Sequence, residues 1–213
     1  MSNKMNLPNK LTVLRLCLVP VIVIFLLLPI NPYICYGVGA VIFIFTAVTD
    51  MLDGSIARRN NLVTNFGKFM DPVADKFMVI GTMMALLFRM MNPLIYGIAY
   101  ETYYLASFFA LLLLIIFREF AITSLRLVVV TASGEVVAAN ILGKLKTITQ
   151  IVCISAVMIE PLLDELITHF LPDYCLHGVY PITLACMAVT LVLTVWSGYN
   201  YLKAGWKYIS TDK

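Results

Sequence analysis

Charge is what this sequence has least of: Lys, Arg, Asp and Glu make up 13% of its 213 residues, about half the share in a soluble domain. Set against 61% hydrophobic residues and a mean hydropathy of +0.92, that scarcity excludes an ordinary water-soluble fold and points to an integral membrane chain. Cysteine-based metal chemistry is missing as well. Cys17, Cys35, Cys153, Cys175 and Cys186 form no CxxC pair and no His/Cys cluster at ligand spacing, so they read as packing residues, with a Cys175–Cys186 disulfide left open. No small-residue cleavage site follows the apolar run behind Lys4 and Lys10, which reads as a retained first span rather than a signal peptide. The apolar runs also lack the period-two alternation of barrel strands, which leaves helices.

Six apolar runs can be drawn, at about residues 11–29, 33–49, 74–91, 94–117, 145–162 and 180–202. The expected fold is an all-α bundle of six transmembrane helices. It forms a single membrane domain over residues 1–213, with no room for a soluble module and with residues 1–10 as a short N-terminal interfacial segment. Six spans put both termini on one side, together with every Lys and Arg except Arg89. The segment "EPLLDELITHFLPDYCLHGVYP", residues 160–181, holds four acids and no Lys or Arg. This asymmetry predicts a multi-pass protein with both termini and the 50–76 stretch facing the cytoplasm. Two readings of the N-terminal segment stay open: a helix along the interface with Arg15 snorkelling to lipid phosphates, or a basic topogenic anchor. Trp196, Tyr199, Tyr201, Trp206 and Tyr208 read as an interfacial belt ahead of a basic tail.

The unusual charges sit in "TDMLDGSIARRNNLVTNFGKFMDPVADK", residues 49–76, between the second and third runs. Residues three or four apart share a helix face, so Asp50 and Asp53 project together from one helix end and Asp71 and Asp75 from the next. The polar linker between them is long enough for an antiparallel return, so the four carboxylates converge in one cup at membrane-surface depth. Four ionised acids there repel one another unless cations are present, and hard oxygen donors suit Mg²⁺ or Mn²⁺. The plainer reading has the acids capping helices or pairing with Arg58, Arg59, Lys68 and Lys76; Asp71 ahead of Pro72 is a good N-cap.

The pattern Asp50-x2-Asp53-Gly54-x2-Ala57-Arg58-x8-Gly67-x3-Asp71-x3-Asp75 matches, with no departure, the signature of the CDP-alcohol phosphatidyltransferase family. The resemblance implies six transmembrane helices, a homodimer, and an enzyme in which an alcohol displaces CMP from a CDP-linked lipid. It implies two divalent cations, Mg²⁺ or Mn²⁺, held by Asp50, Asp53, Asp71 and Asp75, with Asp75 also the base for the acceptor hydroxyl. The small residues Gly54, Ala57 and Gly67 let a nucleotide approach the helix backbone, and Arg58 can fork onto a diphosphate.

Further charges bear on the acceptor. Arg118, Glu119 and Arg126 in "FREFAITSLRLV", with Lys144 and Lys146 in "LGKLKTITQ", predict a basic acceptor-phosphate pocket beside the cup, although topogenic charge or a structural Arg–Glu pair accounts for them too. With "NLPNKLTVLRL", "GEVVAANILGKLKT" and "SGYNYL", they resemble bacterial family members that take a glycerol phosphate, with Asn200 standing where relatives often carry Asp. That resemblance implies CDP-diacylglycerol and sn-glycerol 3-phosphate as substrates in the bacterial cytoplasmic membrane, and no nucleic-acid partner. The rivals are a sibling making cardiolipin, phosphatidylserine or phosphatidylinositol phosphate, and, from another class, a divalent-cation transporter. The clustering of the acids at one membrane face disfavours the transporter.

Overall fold

Backbone amides in hydrocarbon must bond within their own segment, and the long apolar runs accordingly coil into helices. The computed structural model describes residues 7–59, 65–133, 141–170 and 180–209; the side chains of residues 51–59 are outside the described part. In chain order the elements are α1 (Leu7–Leu27), α2 (Pro32–Arg59), α3 (Asn65–Met90), α4 (Pro93–Tyr96), α5 (Thr102–Ser133), α6 (Ile141–Phe170) and α7 (Pro181–Ile209). Among the described residues there is no strand, and the all-α expectation holds. α1, α2, α5 and α7 are each long and apolar enough to cross a membrane. At 26 and 30 residues, α3 and α6 are long enough at about 1.5 Å per residue. They are more polar, because α3 carries Lys68, Asp71, Asp75, Lys76 and Arg89, and α6 carries Lys144, Lys146, Glu160, Asp164 and Glu165.

Two of the expected boundaries are corrected. Residues 94–101 do not belong to the fourth long helix. Pro93 opens the short α4, and Gly97, at φ +81°, closes it by donating its N–H to the Pro93 carbonyl at 2.8 Å. Only glycine takes that left-handed turn without strain. At the N-terminus, residues 7–10 run straight on into α1 rather than forming a separate segment, while residues 1–6 lie outside the described part. Cys186 is a free thiol, with Cys175 outside the described residues.

The long helices alternate in direction. α1 runs parallel to α3, as the pairs Arg15–Asp75 and Arg89–Leu26 require, and antiparallel to α2. α6 packs on α2 and α7, and α5 on α3 and α7. The shared core holds Ile22, Leu26, Phe43, Met78, Leu86, Phe108 and Met158. The Cβ that Gly39 lacks would come within 3.0 Å of the Leu26 side chain, so this glycine sets the close crossing of α1 and α2. Phe45, Phe77, Phe88, Phe117 and Phe120 face outward, as lipid-facing side chains do.

The end of the bundle that carries Arg89 is closed by polar caps. Arg89 Nη1 donates to the Leu26 and Leu28 carbonyls at 2.6 and 3.3 Å, and the Tyr96 hydroxyl donates to the Leu27 carbonyl at 3.1 Å. The last carbonyls of α1, which have no intrahelical partner, are thereby satisfied. The Arg89 guanidinium also lies over the Tyr36 and Tyr96 rings, at 5.2 and 4.6 Å, so this arginine is a structural clamp. At the start of α7, Glu160 of α6 accepts the N–H of Ile182 at 2.8 Å and of Thr183 at 2.6 Å.

Candidate active site

The N-terminal half of α1, the C-terminal half of α2 and the start of α3 meet at the opposite end of the bundle. Asp50 lies on α2 three residues before Asp53, and Asp71 and Asp75 lie one turn apart on α3, so the helical spacing expected for both pairs is present. The backbone positions of Asp53, Gly54, Ala57 and Arg58 fall in the last turns of α2, while their side chains lie outside the described residues. Gly67 is buried near the start of α3, one turn before Asp71. α3 already begins at Asn65, which places Asp71 in its second turn and Pro72 inside the helix. Asp71 is therefore not a helix cap, and the capping alternative fails for it.

What gathers the acids is a pair of residues from α1. Arg15 Nη2 reaches Asp50 Oδ1 at 2.5 Å and Arg15 Nη1 reaches Asp75 Oδ1 at 2.7 Å, while Thr12 Oγ1 donates to Asp71 Oδ1 at 2.7 Å. Thr12 and Arg15 are three apart on one face of α1. This corrects the reading of Arg15 as a snorkelling anchor. Its side chain is 1% exposed and spans two carboxylates, because a guanidinium next to hydrocarbon is held far better by two anions than by a route to the surface. The signal in the sequence was a lone Arg one turn inside an apolar run, which favours a buried partner as readily as a lipid phosphate. The acids also do not pair with their sequence neighbour Lys76 in the described contacts; Lys76 Nζ donates to Thr123 Oγ1 of α5 at 2.6 Å.

The donor chemistry suits a divalent cation, although among the described residues no three acids form a group that could hold one. Asp50, Asp71 and Asp75 offer only hard carboxylate oxygens, and one guanidinium spans two of them, so these two oxygens already lie within reach of a single positive centre.

A second polar cluster joins α5, α6 and α7. Arg118 is bonded to Glu119 at 3.2 Å and donates to Ser197 Oγ at 2.7 Å, and Lys146, 5% exposed, pairs with the same Glu119. Arg126 donates to the Tyr201 hydroxyl at 2.8 Å, and the Tyr201 ring faces the guanidinium groups of both Arg126 and Arg118, at 4.9 and 5.7 Å. Tyr201 is thus buried between two arginines and is not part of an interfacial belt, whereas Trp196, Tyr199 and Trp206 are exposed as expected. Three of the four cations expected at the acceptor are brought together, and Lys144 stands apart, exposed. Between the two clusters, Lys76, the sequence neighbour of Asp75, ties α3 to α5: its Nζ donates to Thr123, whose hydroxyl donates to the Glu119 backbone carbonyl at 2.7 Å. Ser197 and Tyr201 were not singled out as site residues from sequence, because their roles exist only once α5 lies beside α7.

Comparison with known proteins identifies the family. The family model for CDP-alcohol phosphatidyltransferase matches residues 5–196. A CDP-diacylglycerol--glycerol-3-phosphate 3-phosphatidyltransferase of Bacillus subtilis is 37% identical, covering 97% of this chain and 98% of its own length. Enzymes of the same name from Yersinia enterocolitica and Rickettsia typhi are 32% and 36% identical, covering 96% and 93% of this chain and 97% and 96% of their own lengths. A signature without departure, acids gathered at one bundle end and likeness along almost the whole chain lead to one conclusion: the chain belongs to the CDP-alcohol phosphatidyltransferase family.

Proposed function

We propose that this enzyme transfers the phosphatidyl group from CDP-diacylglycerol to the 1-hydroxyl of sn-glycerol 3-phosphate, giving phosphatidylglycerol phosphate and CMP. The observation that carries the reading is the pair of clusters, acids of α2 and α3 held on Arg15 and Thr12, and cations of α5 and α6 around Glu119 and Tyr201. The relatives' name specifies the same donor and acceptor for those proteins.

Members of this family generally depend on a divalent metal. In the proposed site Asp50, Asp53, Asp71 and Asp75 hold two ions, Mg²⁺ or Mn²⁺, which when bound offset charge on the reacting phosphate and on departing CMP. Gly54, Ala57 and Gly67 leave room for the cytidine diphosphate, and Arg58 binds its oxygens through a fork. The acyl chains stay in the bilayer and enter between helices. Arg118, Arg126 and Lys146, with Lys144 at the rim, hold the acceptor's phosphate and so aim its hydroxyl at the donor phosphorus. Asp75 takes the hydroxyl proton as the new O–P bond forms and the P–O bond to CMP breaks. In the same proposal the chain is a single membrane domain over residues 1–213 with six spans, works as a homodimer in the bacterial cytoplasmic membrane, and turns its site and both termini to the cytoplasm.

The purified protein, supplied with CDP-diacylglycerol, Mg²⁺ and labelled sn-glycerol 3-phosphate, is expected to release CMP and form the labelled phosphate lipid. Serine, inositol phosphate and phosphatidylglycerol should compete poorly; strong preference for one of them overturns the acceptor and leaves the reaction class. Arg118→Ala is expected to raise KM for glycerol 3-phosphate about 10- to 100-fold, the worth of one or two charge-assisted bonds, with KM for CDP-diacylglycerol within about twofold. Equal weakening of both substrates removes the phosphate contact.

A further inference from the structure

Arg15 places a fixed positive charge where the proposed function needs divalent ions. It is among the largest fully buried side chains, and it spans Asp50 and Asp75 while Thr12 holds Asp71. Acids from two helices cannot stay close next to hydrocarbon without an opposite charge. Here a third helix, α1, supplies one, and the same carboxylate oxygens cannot bond both to a guanidinium at 2.5–2.7 Å and to a small divalent ion from the same side.

Resting on the metal reading above, we infer that Arg15, with Thr12, is a positioning residue that acts as the site's built-in counter-ion: it keeps the carboxylates of α2 and α3 gathered before metal loads and gives them up to the incoming ions. Metal uptake is then an exchange of one cation for another on a preassembled cup, not an assembly of scattered acids. The exchange weakens metal affinity, since each ion must displace a charge pair, and in return the metal-free protein keeps its helices in register. A guanidinium suits this role. Its two terminal nitrogens reach two carboxylates at once, which a lysine ammonium cannot do with the same geometry.

The test is direct metal binding rather than activity. Mn²⁺ is titrated into the purified full-length protein in nanodiscs and free Mn²⁺ is read by electron paramagnetic resonance, with thermal unfolding followed in EDTA and in saturating Mn²⁺. Arg15→Gln is expected to bind Mn²⁺ about tenfold more tightly than wild type, the worth of a partly exposed charge pair. It should unfold at lower temperature than wild type in EDTA and at about the same temperature in Mn²⁺. Arg15→Lys, which keeps the charge and loses the fork, should tighten binding by about threefold and serves as the readout if the Gln protein does not fold when chelated. Unchanged or weaker Mn²⁺ binding in both variants overturns the inference, because a merely structural arginine gives no gain in affinity. If wild type itself takes up no Mn²⁺, the metal reading of the site falls and the counter-ion role falls with it.

Discussion

Asp75→Asn is expected to lower turnover by at least about 10³-fold, a barrier increase of about 4 kcal/mol at 1.36 kcal/mol per decade, with the fold retained. The amide keeps the size of the carboxylate but accepts no proton, and it removes one negative charge from the proposed ion site, so two contributions are lost together. Stability should change little. Asp75 is 44% exposed, its bond to Arg15 is screened, and Arg15 keeps Asp50, so the loss is about 1 kcal/mol or less. CMP release by purified protein, alongside a melting curve, separates the two effects. Turnover near wild type would remove Asp75 from the base role. A collapsed melting curve would show instead that its charge is structural.

At the other end of the bundle, Glu160→Ala should be the most destabilising single change, costing about 3–5 kcal/mol. The first turn of α7 has few free donors to satisfy. Pro181 has no N–H, and Leu184 already donates to the Tyr180 carbonyl at 3.0 Å, which leaves Ile182 and Thr183, both taken by Glu160. Glu160 is 3% exposed, so truncation orphans two amides away from water at about 1–3 kcal/mol each. Side-chain pairs in membranes average less than this because the unfolded chain finds other partners. Amides at a helix start have no such alternative. Glu160→Gln keeps one carbonyl oxygen and should recover roughly half the loss. Unfolding of all three proteins in one detergent reads the order; an Ala variant as stable as wild type refutes the cap. Activity per folded molecule should be unchanged, since the aspartates lie at the opposite end.

How much could be read beforehand differs between the two clusters. Of the expected aspartate cup, the two pairs were legible because their spacing is local: i,i+3 and i,i+4 positions put each pair on one face of its own helix whatever the rest of the chain does. The cup's third wall was not legible. Thr12 and Arg15 lie about 60 positions upstream of Asp71 and Asp75, and their sequence surroundings look like those of any basic anchor ahead of a span. The basic cluster was legible as a set of charges, yet its organiser Tyr201 looked like one more interfacial aromatic until α7 was laid against α5. Arg89 and Glu160 were legible only as topogenic charges. Their capping roles depend on helix ends that the chain brings together from 63 and 22 positions away.

By itself the amino-acid order determined the membrane character, the helical class, the family signature and the clustering of acids, because hydropathy and helical periodicity act over a few turns and need no partner. Only the tertiary structure decided which charge answers which. In a low-dielectric bundle a buried ion is held by whatever opposite charge or carbonyl the packing delivers, and α1 delivered Arg15 to Asp50 and Asp75.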